Sequence, residues 1–251
     1  MRLAVLASGS AGNALVVEAG GVSILIDCGV SCRQIERRMR AAGFEPDRLS
    51  AILLTHEHTD HLQGLEVFLK RHPLPLAATA GTAAACNGDL PLAQMLQAGR
   101  ELTLGCLRVL PFSVSHDARE PVGFVVEHAG TRVGLLTDAG VATELVVERL
   151  TGCHVLLLEA NHDRDMLRDG PYPWALKQRI ASRTGHLSNE QAQALLDRLA
   201  HPALHTVVGM HLSRQNNLPE LVRRELARPL AGSAVRLEVA SQDQPLVIES
   251  S

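Results

Sequence analysis

The sequence predicts an α+β protein with αββα layering, two β-sheets packed face to face and helices outside them. Apolar runs rich in Val, Ile and Leu fall in two groups, within residues 2–26 and 107–136, and each group is followed by strands alternating with helix signals. Hydrophobic residues make up 46% of the chain against 20% charged, a balance that forms a core. No low-complexity linker and no long block of like charge divides the 251 residues, so one domain spanning 1–251 is expected.

The elements follow in order. Residues 2–7, 14–19 and 22–26, separated by Ser8-Gly9-Ser10-Ala11-Gly12-Asn13 and by Gly20-Gly21, read as a β-meander. Ser31-Cys32-Arg33-Gln34 fits a capping box before a basic amphipathic helix ending near Gly43. A buried strand is expected at 51–55 and a helix over 61–71. The middle of the chain reads as strands at 107–115, 122–128 and 131–136, the last two hinged at Ala129-Gly130. A helix over 142–150, a strand at 155–158, a helix capped by Ser188 and reaching about Ala200, and a strand at 205–210 complete the pattern.

Twenty-four Lys and Arg against 27 Asp and Glu leave a net charge of −3, so any contact with a polyanion has to come from local patches. One Trp, one Tyr and four Phe exclude a ribbon of aromatic platforms for single strands. The five cysteines are odd in number and none forms a C-x-x-C pair, which points to reduced thiols rather than structural zinc. The N-terminal apolar run is five residues, short of the roughly 7–15 of a signal peptide. No apolar stretch approaches the roughly 20 residues needed to span a bilayer, and a cytoplasmic location without a membrane partner is expected.

Twelve histidines remain to be explained. Thr55-His56-Glu57-His58-Thr59-Asp60-His61 gathers three imidazoles and a carboxylate behind an apolar strand. His56 and His58, two apart on extended backbone, point the same way and can share a cation; Asp60 and His61, at the turn into a helix, would face a neighbouring position. Two adjacent metal sites are the reading this favours over a solvated polar loop.

The motif H-x-H-x-D-H after a strand resembles the metallo-β-lactamase fold superfamily, and further motifs match that family in its order. Asp27 in Ile24-Leu25-Ile26-Asp27 stands where the family has an Asp that buttresses the site. His116 follows a strand, Asp138 ends Leu135-Leu136-Thr137-Asp138, and His211 lies in Gly209-Met210-His211. The resemblance implies His56, His58 and His116 on one divalent ion and Asp60, His61 and His211 on a second, with Asp138 bridging. Imidazole and carboxylate ligands suit zinc, manganese or iron about equally and availability in the cell decides between them; zinc or manganese is expected.

Such a pair lowers the pKa of a bridging water towards about 7 and implies hydrolysis, in which Asp60 belongs to the catalytic set. A departing oxygen still needs a proton donor. Glu159 and His186 resemble the pair that ribonuclease Z-type phosphodiesterases add, where the His protonates the leaving oxygen and the Glu orients it. Ser8, Ser10 and Asn13 in the first loop, and Ser213 and Asn216 after His211, offer donors suited to a substrate phosphate. Arg214 reads as an anion clamp or as plain surface charge.

Ser8-Gly9-Ser10-x-Gly12-Asn13, Glu159-x-Asn161-His162-Asp163, Gly170-Pro171-Tyr172-Pro173 and Gly185-His186-Leu187-Ser188-Asn189 together resemble the bacterial YycJ (WalJ) family over essentially the whole chain. That resemblance implies a metal-dependent 5′→3′ exonuclease acting on DNA ends, linked to mismatch repair in some bacteria. A small-molecule phosphodiesterase and a glyoxalase II-like thioester hydrolase are the alternatives. His162 and Asp163 read either as a helix cap or as site lining. Within 169–183 the only Tyr and Trp flank Pro173 before Lys177, Arg179 and Arg183, either stacking on bases and meeting phosphates or packing as core. Arg33, Arg37, Arg38 and Arg40 form a local basic face, either solvated or touching DNA.

Overall fold

In a computed structural model that describes residues 1–86 and 90–249, the glycine-punctuated N-terminal runs form the expected meander: β1 (Arg2–Ala7), β2 (Ala14–Ala19) and β3 (Val22–Ile26), paired antiparallel. Helix α1 (Cys32–Ala41) starts at the capping box, with Ser31 and Gln34 each bonded to the other's backbone. It returns the chain to β4 (Leu49–Leu53), parallel to β3. Then come α2 (Thr59–Leu62), α3 (Leu65–Arg71), β5 (Leu76–Thr79), α4 (Ala80–Ala85) and β6 (Leu92–Leu96).

The second half repeats this plan. Strands β7 (Leu102–Leu104), β8 (Leu107–Ser113), β9 (Val122–His128) and β10 (Thr131–Leu136) run antiparallel. Helix α5 (Glu144–Leu150) leads to β11 (Val155–Glu159), parallel to β10. Helices α6 (Arg164–Asp169), α7 (Trp174–Ile180) and α8 (Asn189–Leu199) precede β12 (Thr206–Met210), and α9 (Pro219–Ala227) precedes β13 (Arg236–Val239) and β14 (Leu246–Glu249). Among the described residues the strands form two seven-stranded sheets, ordered β14-β1-β2-β3-β4-β5-β6 and β13-β12-β11-β10-β9-β8-β7.

Both sheets are covered on both faces, which is why the central strands read as continuous apolar runs rather than alternating ones. Leu3, Val5, Ile24 and Leu53 of the first sheet meet Val109, Phe124, Leu157 and Val208 of the second in the inner core. Their neighbours turn outward: Leu6, Leu25 and Ile52 pack under Ile35, Met39 and Phe68, and Leu156, Leu158 and Val207 under Leu195, Leu196 and Val222. The αββα expectation therefore holds. The parallel strands β3, β4, β10, β11 and β12 deliver their carboxyl ends to one edge, where ligands collect in sheets of this kind.

The helix expected over 61–71 is two helices. Gly64 lies so close to the 28–30 turn that any side chain there would overlap the Val30 carbonyl, and its N–H donates to Cys28 O at 2.7 Å. That contact bends the chain between α2 and α3. The strand expected over 51–55 ends at Leu53, because Thr55 N–H leaves the ladder to donate to Asp27 Oδ1 at 2.9 Å.

Away from the strand ends, buried Glu36 on α1 accepts from His72 Nε2 at 2.9 Å and forms an ion pair with Arg71 Nε at 2.8 Å. Burial opposes its charge, but His72 and Arg71 beside it, with Arg40, hold its carboxyl below the usual carboxylate range. A carboxyl held low stabilises the fold fully above its unfolded value and ceases to as pH falls through the folded value. Glu36→Gln is therefore expected to cost about 1.5–3 kcal/mol near neutrality, the worth of a hydrogen bond to a charged group, with the gap closing as pH falls through the range in which the folded carboxyl takes up its proton. Urea unfolding of both proteins across that range checks this; a gap independent of pH would contradict it.

Candidate metal centre

Asp27, one residue past β3, has a positive φ of 62° that aims its carboxylate at the start of the histidine motif. Thr55 Oγ1 donates to Asp27 Oδ2 at 2.8 Å, and His61 Nδ1 lies 2.8 Å from the same oxygen. With Nδ1 donating to a carboxylate, His61 presents Nε2 inward, the usual way a ligand imidazole is fixed in one tautomer. Burial opposes charge on His61, but Asp27 and Asp138 raise its pKa well above the ordinary value. His61 Nε2 lies 3.1 Å from Asp138 Oδ2 and 3.5 Å from Asp60 Oδ2.

The second half supplies the opposing wall. Asp138 follows β10 with φ 55° and His211 follows β12 with φ 56°, left-handed conformations that cost energy and concentrate at functional sites. Asp138 Oδ2 is 3.1 Å from His211 Nδ1, and its Oδ1 is 3.8 Å from His116 Nε2. Burial disfavours its charge, yet His211 and His61 hold its carboxyl well below the usual range. His116 Nδ1 meets Gly185 O at 3.0 Å, which leaves Nε2 facing His58 Nδ1 at 3.2 Å. Burial, reinforced by His61, lowers His56 well below the ordinary imidazole pKa, so it is neutral, the form that ligates.

Three groups result. His56, His58 and His116 converge, as do Asp60, His61, Asp138 and His211, and as do His116, Asp138 and His186; within each group the donor atoms lie within 4.8 Å of one another. The donor set fits divalent cations on a direct observation: His56 Nε2 is buried, faces the other imidazoles and has no hydrogen-bond partner among the described residues. Asp138 turns one oxygen to each of the first two groups.

Glu159, at the end of β11, is fully buried and pinned by two backbone amides, Ala139 N–H at 2.8 Å and Leu187 N–H at 3.3 Å to Oε2. Its Oε1 lies 2.7 Å from His186 Nδ1, which is also 3.6 Å from Asp138 Oδ1. Burial works against charge on His186, but Glu159 overrides it and the imidazole is pushed up to about 9.

Four of the five side chains expected to meet substrate are turned to internal partners. Ser8 Oγ accepts from His211 N–H at 2.7 Å, and Asn13 Nδ2 reaches Asp60 Oδ2 at 3.2 Å and His61 Nε2 at 3.1 Å. Ser213 Oγ accepts from Asn216 N–H at 3.2 Å, and both side chains are buried under the loop. Ser10 alone of the five is exposed. The first loop is thus tied to His211, Asp60 and His61, whereas Ser213 and Asn216 hold each other. Arg214 pairs with Asp243 at 3.5 Å. Asp163 caps α6 through Met166 N–H, whereas His162 lines a cavity. Arg38 leaves the basic face, buried with its guanidinium on the carbonyls of Leu6 and Gln242. Lys177 donates to Arg168 O at 2.6 Å and Arg179 to Asp117 Oδ2 at 2.6 Å, so neither stands free for a phosphate.

Two residues escaped sequence reasoning. Thr55 and Thr137 precede His56 and Asp138 and place hydroxyls on the ligands, Thr137 Oγ1 lying 2.9 Å from His211 Nδ1. The available signal was a Thr closing an apolar strand just before each motif.

A histidine and carboxylate cluster at the carboxyl edge of an αββα sandwich defines the metal-dependent hydrolases of metallo-β-lactamase fold, and residues 23–212 match the family model of the beta-lactamase superfamily domain. The chain is 36% identical over 236 residues to exodeoxyribonuclease YycJ of Bacillus anthracis, covering 92% of this chain and 89% of the relative. It is 34% identical over 238 residues to exodeoxyribonuclease WalJ of Streptococcus pneumoniae, covering 92% and 88%. The chain belongs to this YycJ/WalJ family. Zn(2+)-bound PqqB from Methylobacterium extorquens shares its fold, with a TM-score of 0.77 at 20% identity over 100% of both chains. The family and the donor set make this a divalent-metal site.

Proposed function

We propose that the chain is a dinuclear-metal phosphodiesterase that removes nucleotides from DNA ends in the 5′→3′ direction, working in the cytoplasm as one domain. His56, His58 and His116 would hold one ion, Asp60, His61 and His211 the other, with Asp138 shared, and zinc and manganese suit these donors. Bound divalent ions supply a nucleophile at neutral pH, by lowering the pKa of water to about 7, and positive charge for phosphate oxygens. That charge offsets the net −3 of the chain. The names of the two full-length relatives support DNA as the substrate.

The observation that carries a phosphodiesterase reading is the Glu159 and His186 pair. Glu159 Oε1 accepts a hydrogen bond from His186 Nδ1 and, held by two amides, cannot swing away. Nε2 is left as the nitrogen that passes a proton to a departing alkoxide. The His186 side chain is 21% exposed, enough for a substrate oxygen to reach it. An alkoxide needs this help, whereas a thiolate leaves with little. Among the described residues no helix is long and apolar enough to cross a membrane.

The test compares metal-loaded protein on DNA, matched RNA, a generic phosphodiester and a thioester. Mononucleotide release from DNA is the expected result; turnover of the thioester alone would overturn the reading.

A further inference from the structure

Helix α7 buries none of its residues, and Trp174, the only Trp of the chain, opens it 69% exposed between a proline turn and solvent. This rules out the core-packing alternative for the segment. Beside it lies a cavity of about 390 Å³, walled by α6, α7 and the first turn of α8, with Trp174, Leu167, Gln178 and Gln191 among its lining. A cavity of this size holds a small ring compound. At its base is His162, 3% exposed, whose buried Nδ1 has no hydrogen-bond partner among the described residues.

The charges around the cavity are already spoken for. Arg168 pairs with Asp165 at 2.6 Å and Asp169 at 2.8 Å, Lys177 is bound to a carbonyl, and Arg164 faces Glu190 at 3.5 Å. What remains is a flat apolar wall with a polar edge, which fits an uncharged heteroaromatic ring better than a phosphate. Burial holds His162 down to about 4, so it meets a ring as a neutral hydrogen-bonding group.

The cavity also has a fixed relation to the metal centre. His162 O accepts from Asn189 N–H at 2.9 Å and Asn161 N–H donates to Leu187 O at 2.9 Å, so the base of the cavity is tied to the segment that presents His186. The base of the cavity and the general acid are therefore carried on backbone segments bonded to one another.

We propose that this cavity is a nucleobase subsite that stacks the 5′-terminal base of the DNA strand on Trp174 and reads its edge with His162. The assignment rests on the nuclease reading above. In 5′→3′ removal, water adds to the phosphorus of the second nucleotide and the P–O3′ bond breaks. His186 gives a proton to O3′ and regains one from the water. The departing group is the terminal nucleotide, whose base falls on His186's side.

The single Trp makes the test direct. Metal-loaded protein is titrated with dAMP and with deoxyribose 5-phosphate while Trp174 fluorescence is followed. Saturable quenching by dAMP and none by the sugar phosphate is expected. In DNA digestion, Trp174→Ala should raise KM about 5- to 150-fold, the equivalent of about 1–3 kcal/mol per stacked base, while Trp174→Phe recovers most of the loss. With an abasic terminal nucleotide, wild type and Trp174→Ala should converge. Absence of quenching, or equal quenching by the sugar phosphate, overturns the subsite whatever the activity. Quenching by dAMP without any DNA hydrolysis upholds the subsite and overturns the nuclease reading instead.

Discussion

Asp138→Asn is expected to lower turnover by more than about 10³-fold and to reduce bound metal, as measured by elemental analysis of the purified protein. Asn keeps the shape but removes the charge and turns one of two acceptor oxygens into a donor. Oδ2 faces His61 and His211, each at 3.1 Å, while Oδ1 faces His116 at 3.8 Å and His186 at 3.6 Å, so either orientation of the amide damages one half of the centre. Asp60→Asn and His58→Ala should abolish turnover for the same reason, each removing a donor from one group. A fully metallated Asp138→Asn protein with near-normal turnover would show that the shared carboxylate is not what holds the two groups together.

His186→Ala is expected to slow DNA hydrolysis by about 10²–10⁴-fold, the usual worth of a general acid, with metal content intact. The deficit should shrink on an ester whose leaving group departs without protonation, such as a p-nitrophenyl phosphodiester. That comparison separates proton donation from a general disturbance of the site. His186 also belongs to a group with His116 and Asp138, so loss of metal in the variant would mark it as a ligand and remove it from the acid role.

Much of the fold was legible because its signals are local. The boundaries of β1, β2 and β3 stand where Gly-rich turns interrupt apolar runs, and α1 and α8 begin at capping boxes written within four residues. The candidate ligands were visible for the same reason, each lying just past an apolar strand. Contacts between distant segments were not visible. Ser8 reads as a phosphate donor in its loop, and nothing local shows that its oxygen also accepts from the amide of His211, 203 residues away. Gly64 sits in an unbroken helical pattern, and only the approach of the 28–30 turn divides the helix there. Strand β5 and helix α4 share the Ala-rich run from Leu76 to Ala85, which carries neither a helical nor an alternating period. Strand β13 is a half-exposed edge strand and gave too little contrast to stand out.

The most direct measurement follows metal-loaded protein on DNA labelled at either the 5′ or the 3′ end, before and after chelation and metal restoration. With 5′ label, labelled mononucleotide should appear at once; with 3′ label, the strand should shorten progressively, and chelation should stop both until metal is returned. Early release of 3′-labelled mononucleotide, or hydrolysis unaffected by chelation, would contradict a metal-dependent enzyme working from the 5′ end.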